Sequence, residues 1–211
     1  MAAEIYTFPA TMSMRTAGST DARSGAGSHD DVPKPVEDAV QSVRDMVLRD
    51  AFEYREIPVP ASLADYGIGV EISSGERAST AVSGWIMVLY SHRMRSGWRS
   101  RWRCVAFASW ALRREQHNSL TPSLYWTDIE RLLVDRLPGS LMGTVSVNHN
   151  TSFESSDDVE PVASVSCEAR ASWTPDVRDG SILDAGRQID MWALFLTSLM
   201  ENEEGSDIFR G

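Results

Sequence analysis

Thr144-Val145-Ser146-Val147-Asn148-His149-Asn150-Thr151-Ser152-Phe153 alternates small polar residues with larger ones, and Ser164-Val165-Ser166-Cys167-Glu168-Ala169-Arg170-Ala171-Ser172-Trp173 repeats the pattern. A period of two puts Val145, Val147, His149, Thr151 and Phe153 on one side of the first strand. It puts Val165, Cys167, Ala169, Ala171 and Trp173 on one side of the second. With the acidic segment from Glu154 to Glu160 as the connection, the two runs predict a half-buried antiparallel hairpin with one wet face.

Such a hairpin needs something to cover its apolar side, and the flanking sequence supplies it. Downstream, Ile182, Ile189, Trp192, Ala193, Phe195, Leu196, Leu199 and Met200 form the wide apolar stripe of a final helix of roughly five turns. Upstream, a second helix opens either at Thr121-Pro122 or at the capping box Thr127-x-x-Glu130. It carries Ile129, Leu132, Leu133 and Leu137 and stops at Pro138-Gly139. Before it come two apolar runs of strand length. In Trp102 to Leu112, Trp102, Cys104, Ala106, Ala108 and Trp110 share one face, and Val82 to Tyr90 is the other run. Val70 and Ile72 mark a further short strand, closed by the turn Ser73-Ser74-Gly75. Glu56-Ile57-Pro58-Val59-Pro60 must be extended, because each proline restricts its predecessor and lacks an N–H. Val36, Val40, Val43 and Val47 recur at helical spacing and predict a first helix over 36–53.

The order is therefore α-β-β-β-α-β-β-α, an α+β fold in which three helices pack against an antiparallel sheet of about five strands. Small type III secretion chaperones share that order, a likeness of fold that says nothing of function.

Composition sets the outer bounds. A chain of 211 residues with 42% hydrophobic content, seven Trp and six Phe is long enough for one well-packed domain. Residues 1–35, rich in Ser, Thr, Gly, Ala and Asp, lack apolar periodicity and are expected to form a disordered arm. The domain is expected over 36–200 and an acidic tail over 201–211. No signal-peptide pattern or membrane-spanning apolar run is seen, so no membrane association is expected. Two cysteines, Cys104 and Cys167, suit a reducing compartment, and the expected address is the cytoplasm.

Charge is uneven along the chain. The net value is −10, yet residues 92–153 carry +5 while 1–91 carry −6 and 154–211 carry −9. An acidic total argues against general nucleic-acid binding, but recognition depends on the local patch.

Familiar catalytic patterns are missing. The four histidines, His29, His92, His117 and His149, have no metal-ligand spacing, so no metal site and no cofactor are expected. His149 reads as a hydrogen-bonded core residue. Gly67-x-Gly69 begins like a dinucleotide loop but lacks the third glycine and reads as a turn. No nucleophile elbow or phosphate loop occurs. Asp157 and Asp158 lie in an acidic loop where solvation is the natural reading. Both cysteines fall on inward faces, where a thiol packs as a small apolar group.

One segment calls for explanation. Arg93, Arg95, Arg99, Arg101 and Arg103 are interleaved with Trp98 and Trp102, and guanidinium groups with indoles are the equipment for gripping single-stranded RNA. The structural alternative is a long hairpin connection in which Gly97 makes the turn, Trp102 points inward and the arginines stay wet or meet the acidic loop. Arg93, Arg95, Trp98, Arg99, Arg101 and Arg103 are thus candidate phosphate- or partner-binding residues, and no catalytic residue is assigned.

Several segments together carry a resemblance. Glu56-Ile57-Pro58-Val59-Pro60, Trp102-Arg103-Cys104-Val105-Ala106-Phe107, Gly143-Thr144-Val145-Ser146, Glu168-Ala169-Arg170-Ala171-Ser172-Trp173-Thr174-Pro175 and the Trp192 helix resemble the actinobacterial domain-of-unknown-function 3000 family over about 36–200. The resemblance implies no assigned reaction. Gene proximity to a ribonuclease-D-like exonuclease in that family hints at RNA metabolism, while the arginine richness of 92–103 departs from its usual pattern. The favoured reading is a non-enzymatic binding or adaptor domain with an unknown protein partner, possible RNA association being its more specific form. The alternative is an enzyme of unrecognised class whose pocket is assembled from distant residues.

Overall fold

A computed structural model describes residues 32–75, 81–112, 121–152, 162–177 and 182–204. The arm expected over 1–35 and the tail expected over 201–211 fall outside the described residues except for 32–35 and 201–204. Phe153 and the acidic 154–160 connection also lie outside.

The elements are α1 (Lys34–Asp45), β1 (Phe52–Glu56), β2 (Tyr66–Ser74), β3 (Val82–Tyr90), β4 (Trp102–Leu112), α2 (Thr121–Leu132), β5 (Met142–Ser152), β6 (Val162–Trp173) and α3 (Ala185–Glu204). All six strands form one antiparallel sheet in the order β1-β2-β3-β4-β6-β5. The β5–β6 hairpin expected from the alternation is present, with Val145 opposite Ala169 and Val147 opposite Cys167.

The expected count of about five strands, and the order with three strands before the second helix, are corrected by one strand: the order is α-β-β-β-β-α-β-β-α. The missing strand is Phe52-Glu53-Tyr54-Arg55-Glu56, which the first helix was expected to reach. That helix ends at Asp45, where Met46 turns extended (φ −67°, ψ 145°). Val47 keeps the helical spacing in sequence but stands 86% exposed beyond the last turn. Ile182 likewise precedes α3 and is exposed. Thr121 opens α2, so Thr127 lies inside the helix and donates back to the Ser123 carbonyl at 2.9 Å, while Leu137 lies beyond its end.

One face of the sheet carries the core. Val70, Ile72, Ile86, Val88, Cys104, Ala106, Ala108, Cys167, Ala169 and Trp173 point to the helices, where Val36, Ala39, Ile129, Ile189, Trp192, Phe195 and Leu196 meet them. His149 belongs to that face by parity, but it sits near the far end of β5 and is exposed rather than a core residue.

Glycines let the backbone close. A Cβ on Gly69 would lie 2.5 Å from the Ile57 carbonyl oxygen, and one on Gly67 2.8 Å from Val59. Gly67-x-Gly69 is thus neither a dinucleotide loop nor a turn. It is a notch in β2 on which the extended Ile57-Pro58-Val59 segment lies, with the Ile57 N–H donating to the Gly69 carbonyl at 2.9 Å.

Candidate functional site

The arginine-rich connection runs from β3 to β4 at one end of the sheet, and hydrogen bonds pin it on both flanks. On one side, Asp65 accepts from the His92 N–H at 2.8 Å and the Ser91 hydroxyl at 2.9 Å, which holds its carboxyl below the usual carboxylate range. Arg95 reaches the same region, donating to the Leu63 carbonyl at 2.7 Å while its guanidinium lies 5.4 Å from the centre of the Trp98 ring. On the other side, Arg99 Nη1 donates to the Pro138 carbonyl at 2.7 Å from a left-handed backbone (φ 58°). Gly97 supplies the expected turn at φ 79°.

Arg103 is the innermost of the six, only 6% exposed. Its guanidinium donates to the Ser172 hydroxyl at 2.5 Å, the Thr174 hydroxyl at 3.2 Å and the Ser140 carbonyl at 3.3 Å. Burial draws its pKa below the ordinary guanidinium value, though an arginine stays charged at any working pH. The Thr174 hydroxyl in turn donates to the Trp98 carbonyl, and Ser140 and Thr174 exchange bonds through the Ser140 hydroxyl. The connection is therefore stitched to the segment after α2 and to the end of β6.

Of the six candidates, Arg95, Arg99 and Arg103 use their guanidinium donors on this chain's own carbonyls and hydroxyls. The Trp98 ring has Arg95 over it. Arg101 is exposed, with one long bond to the Tyr90 hydroxyl at 3.5 Å. Arg93 is exposed and bonds to nothing among the described residues. The contact foreseen with the acidic 154–160 loop lies outside the described residues.

A different surface, not singled out from sequence, lies on the face of the sheet that no described helix covers. By register this face carries Trp85 and Met87 of β3, Val105 and Phe107 of β4, and Glu168, Arg170 and Ser172 of β6. Trp85 stacks on Phe107 with ring centres 5.9 Å apart and planes 23° from parallel. Arg170 covers the other side of Phe107 at 5.4 Å. All four apolar side chains are half-buried. The ion pairs Arg55–Glu71 (2.5 Å) and Arg170–Glu168 (2.9 Å) flank the strip. Alternation in β3 and β4 marks these positions as outward, but a run such as Ser83-Gly84-Trp85-Ile86-Met87 is apolar on both parities. Only the cross-strand pairing shows that the outward residues gather into one strip.

An open groove of about 620 Å³ lies between the end of α1 and the start of α3, lined by Ser42, Asp45, Met46, Arg49, Asp184 and Asp190 among others. Its polar groups hold the fold. The Ser42 hydroxyl accepts from the Ala185 and Gly186 N–H groups at 2.9 and 3.2 Å, Asp184 caps the Arg187 N–H, and Arg49 pairs with Asp190 at 2.8 Å.

Among the described residues no group of three or more His, Cys, Asp or Glu is placed to hold a metal ion, and no helix is long and apolar enough to cross a membrane. Cys104 is fully buried, its Sγ 3.9 Å from Gln188 Oε1, and burial pushes its thiol far above the usual range. Burial also pushes the Cys167 thiol up to about 12. Burial of this kind favours the thiol over the reactive thiolate.

Fold and surfaces together define an α+β domain with one helix-covered face and one mixed-polarity face that no described helix covers, on which the Ile57-Pro58-Val59 segment lies over the β2 end. The family model described as protein of unknown function (DUF3000) matches residues 32–200, and the chain belongs to that family. No curated protein and no solved structure matches the chain.

Proposed function

We propose that this domain is a non-enzymatic adaptor whose open sheet face takes an apolar segment of a protein partner. The observation that carries this reading is the apolar strip of Trp85, Met87, Val105 and Phe107, with Arg170 beside Phe107 and ion pairs at its rim. Aromatic, Met and Arg side chains at the centre with a polar rim are the composition of a protein–protein hot spot. Single-stranded RNA would call for a surplus of free cations beside open ring faces. Here both sides of Phe107 are covered, and three arginines of the basic stretch are engaged within the chain.

A photo-crosslinker placed at Met87, followed by reconstitution with the purified adduct protein, tests the proposal. Binding is expected to fall in Trp85→Ser and Phe107→Ser and to be unchanged in Arg93→Ala with Arg101→Ala. Labelled single-stranded RNA is expected to stay at background at every salt concentration. RNA binding that weakens with salt at a slope of about −0.7 per phosphate contact, and is lost with Arg93 and Arg101, would overturn it in favour of the RNA reading.

A further inference from the structure

The sheet has two edges, and they are built differently. β1, at one edge, has five residues, and Glu53, Arg55 and Glu56 among them are charged. The proline pair of the next segment follows immediately. These are the usual devices that keep an edge from pairing with another chain. At the other edge, β5 has eleven residues, Met142-Gly143-Thr144-Val145-Ser146-Val147-Asn148-His149-Asn150-Thr151-Ser152, with no proline and no Asp, Glu, Lys or Arg. Among the described residues its only strand partner is β6, and no described strand forms a ladder on its outer side.

We infer that β5 is the dimerisation edge of this domain, pairing antiparallel with β5 of a second copy to join two six-stranded sheets into one.

A two-fold contact needs a surface complementary to itself. An axis through Val147 sets Val145 opposite His149, Ser146 opposite Asn148, Thr144 opposite Asn150 and Gly143 opposite Thr151. Every opposed pair then lies on a common face, polar residues meet polar ones on the open face, and no like charges meet. Three exposed apolar side chains, Leu124 of α2, Val134 of the connection that follows and Met142 at the start of β5, belong to the elements at this edge. The chain as a whole carries −10, so two copies repel at long range while the uncharged edge does not. Association is therefore expected to strengthen as salt rises, opposite to the behaviour of a phosphate-binding surface.

Sedimentation of the full chain from about 1 to about 500 μM, the range of a weak to moderate interface, measures the association. Asn148→Lys together with Ser146→Lys places like charges opposite each other twice across the axis and is expected to weaken the dimer about tenfold or more. Ser146→Lys with Asn148→Glu places opposite charges there and is expected to restore it. Both pairs of substitutions are on the open face, and thermal unfolding checks that each variant is folded. Amide exchange in 142–152 is expected to slow with rising concentration. A chain that stays monomeric throughout, or a dimer indifferent to both double variants, overturns the inference. The open-face adaptor reading stands or falls separately, since neither outcome depends on Trp85 or Phe107.

Discussion

The Trp173 indole N–H donates to Gln188 Oε1 at 2.7 Å, joining the last strand to the last helix inside the core, where both side chains are buried. A buried indole needs such a partner. Trp173→Ala is expected to cost about 3–5 kcal/mol, because it empties a large site and also strands the amide. Gln188→Leu keeps the volume but removes the acceptor of Trp173, together with the weaker contacts to Cys104 and the Asp135 carbonyl, and is expected to cost about 1–3 kcal/mol. Chemical denaturation of the two single variants and the double variant measures the coupling. A double variant as unstable as the sum of the singles would show that the bond contributes nothing.

Arg103→Ala is expected to destabilise by about 1–3 kcal/mol, since it leaves the Ser140 carbonyl and two hydroxyls without their donor in a closed site. Arg103→Lys is expected to recover only part, because an ammonium cannot reach three acceptors through a planar fork. Arg93→Ala is expected to leave unfolding unchanged. Equal melting temperatures for all three variants and the parent would contradict the division between structural and free arginines.

Asp65 is expected to contribute to acid sensitivity. Its folded pKa lies below the unfolded value, so its contribution is present above that unfolded value, near 3.8, and is lost as pH falls through the folded one. The group is largely open to solvent, which keeps the effect small. Asp65→Asn is expected to flatten the acid limb of a stability-against-pH curve and to leave the neutral plateau within about 1 kcal/mol. An unchanged acid limb would contradict this.

At the alkaline end the sign reverses. Cys104 and Cys167 both have folded pKa values above the ordinary 9.0, so their contribution is complete below about pH 9 and declines as pH rises toward the folded values, about 12 for Cys167. The native protein is expected to resist alkylation at neutral pH and to react at both thiols only on unfolding. Rapid labelling of the folded chain would show that the strands open locally.

Gly69→Ala is expected to destabilise by about 1–3 kcal/mol, because the new Cβ meets backbone, the Ile57 carbonyl, which cannot swing aside as a side chain could. Gly75→Ala, with open space around it, is the control. Thermal unfolding of the pair decides whether the Ile57-Pro58-Val59 segment is held against β2.

The parts of the fold legible in sequence were those in which one periodicity ran unopposed. β5 and β6 alternate cleanly because one face is wet, and α3 shows its stripe because it is buried along most of its length. β1 was hidden for the opposite reason. Phe52-Glu53-Tyr54-Arg55-Glu56 is short and charged as an edge strand should be, and Val47 prolonged the spacing of α1 although no glycine or proline marks the helix end. Of the candidate site, the turn at Gly97 and the burial of Trp102 followed from local pattern. The engagement of Arg103 did not, since its partners Ser172 and Thr174 arrive only when β4 pairs with β6, some 70 residues on, and Ser140 comes from the segment after α2, 37 residues on. The aromatic strip was missed because Trp85 and Phe107 are neighbours only through strand register.

The hydroxyl of Ser42 on α1 caps the amino end of α3 across a separation of 143 residues. The first helix and the last are thus clasped to each other, and the chain closes on itself like a buckled strap. A ribosome delivers α1 well before α3, so α1 must wait, its valine face uncovered by that helix, until α3 emerges. Folding of this domain then waits on α3, paced by a long-range closure rather than by growth from the amino end.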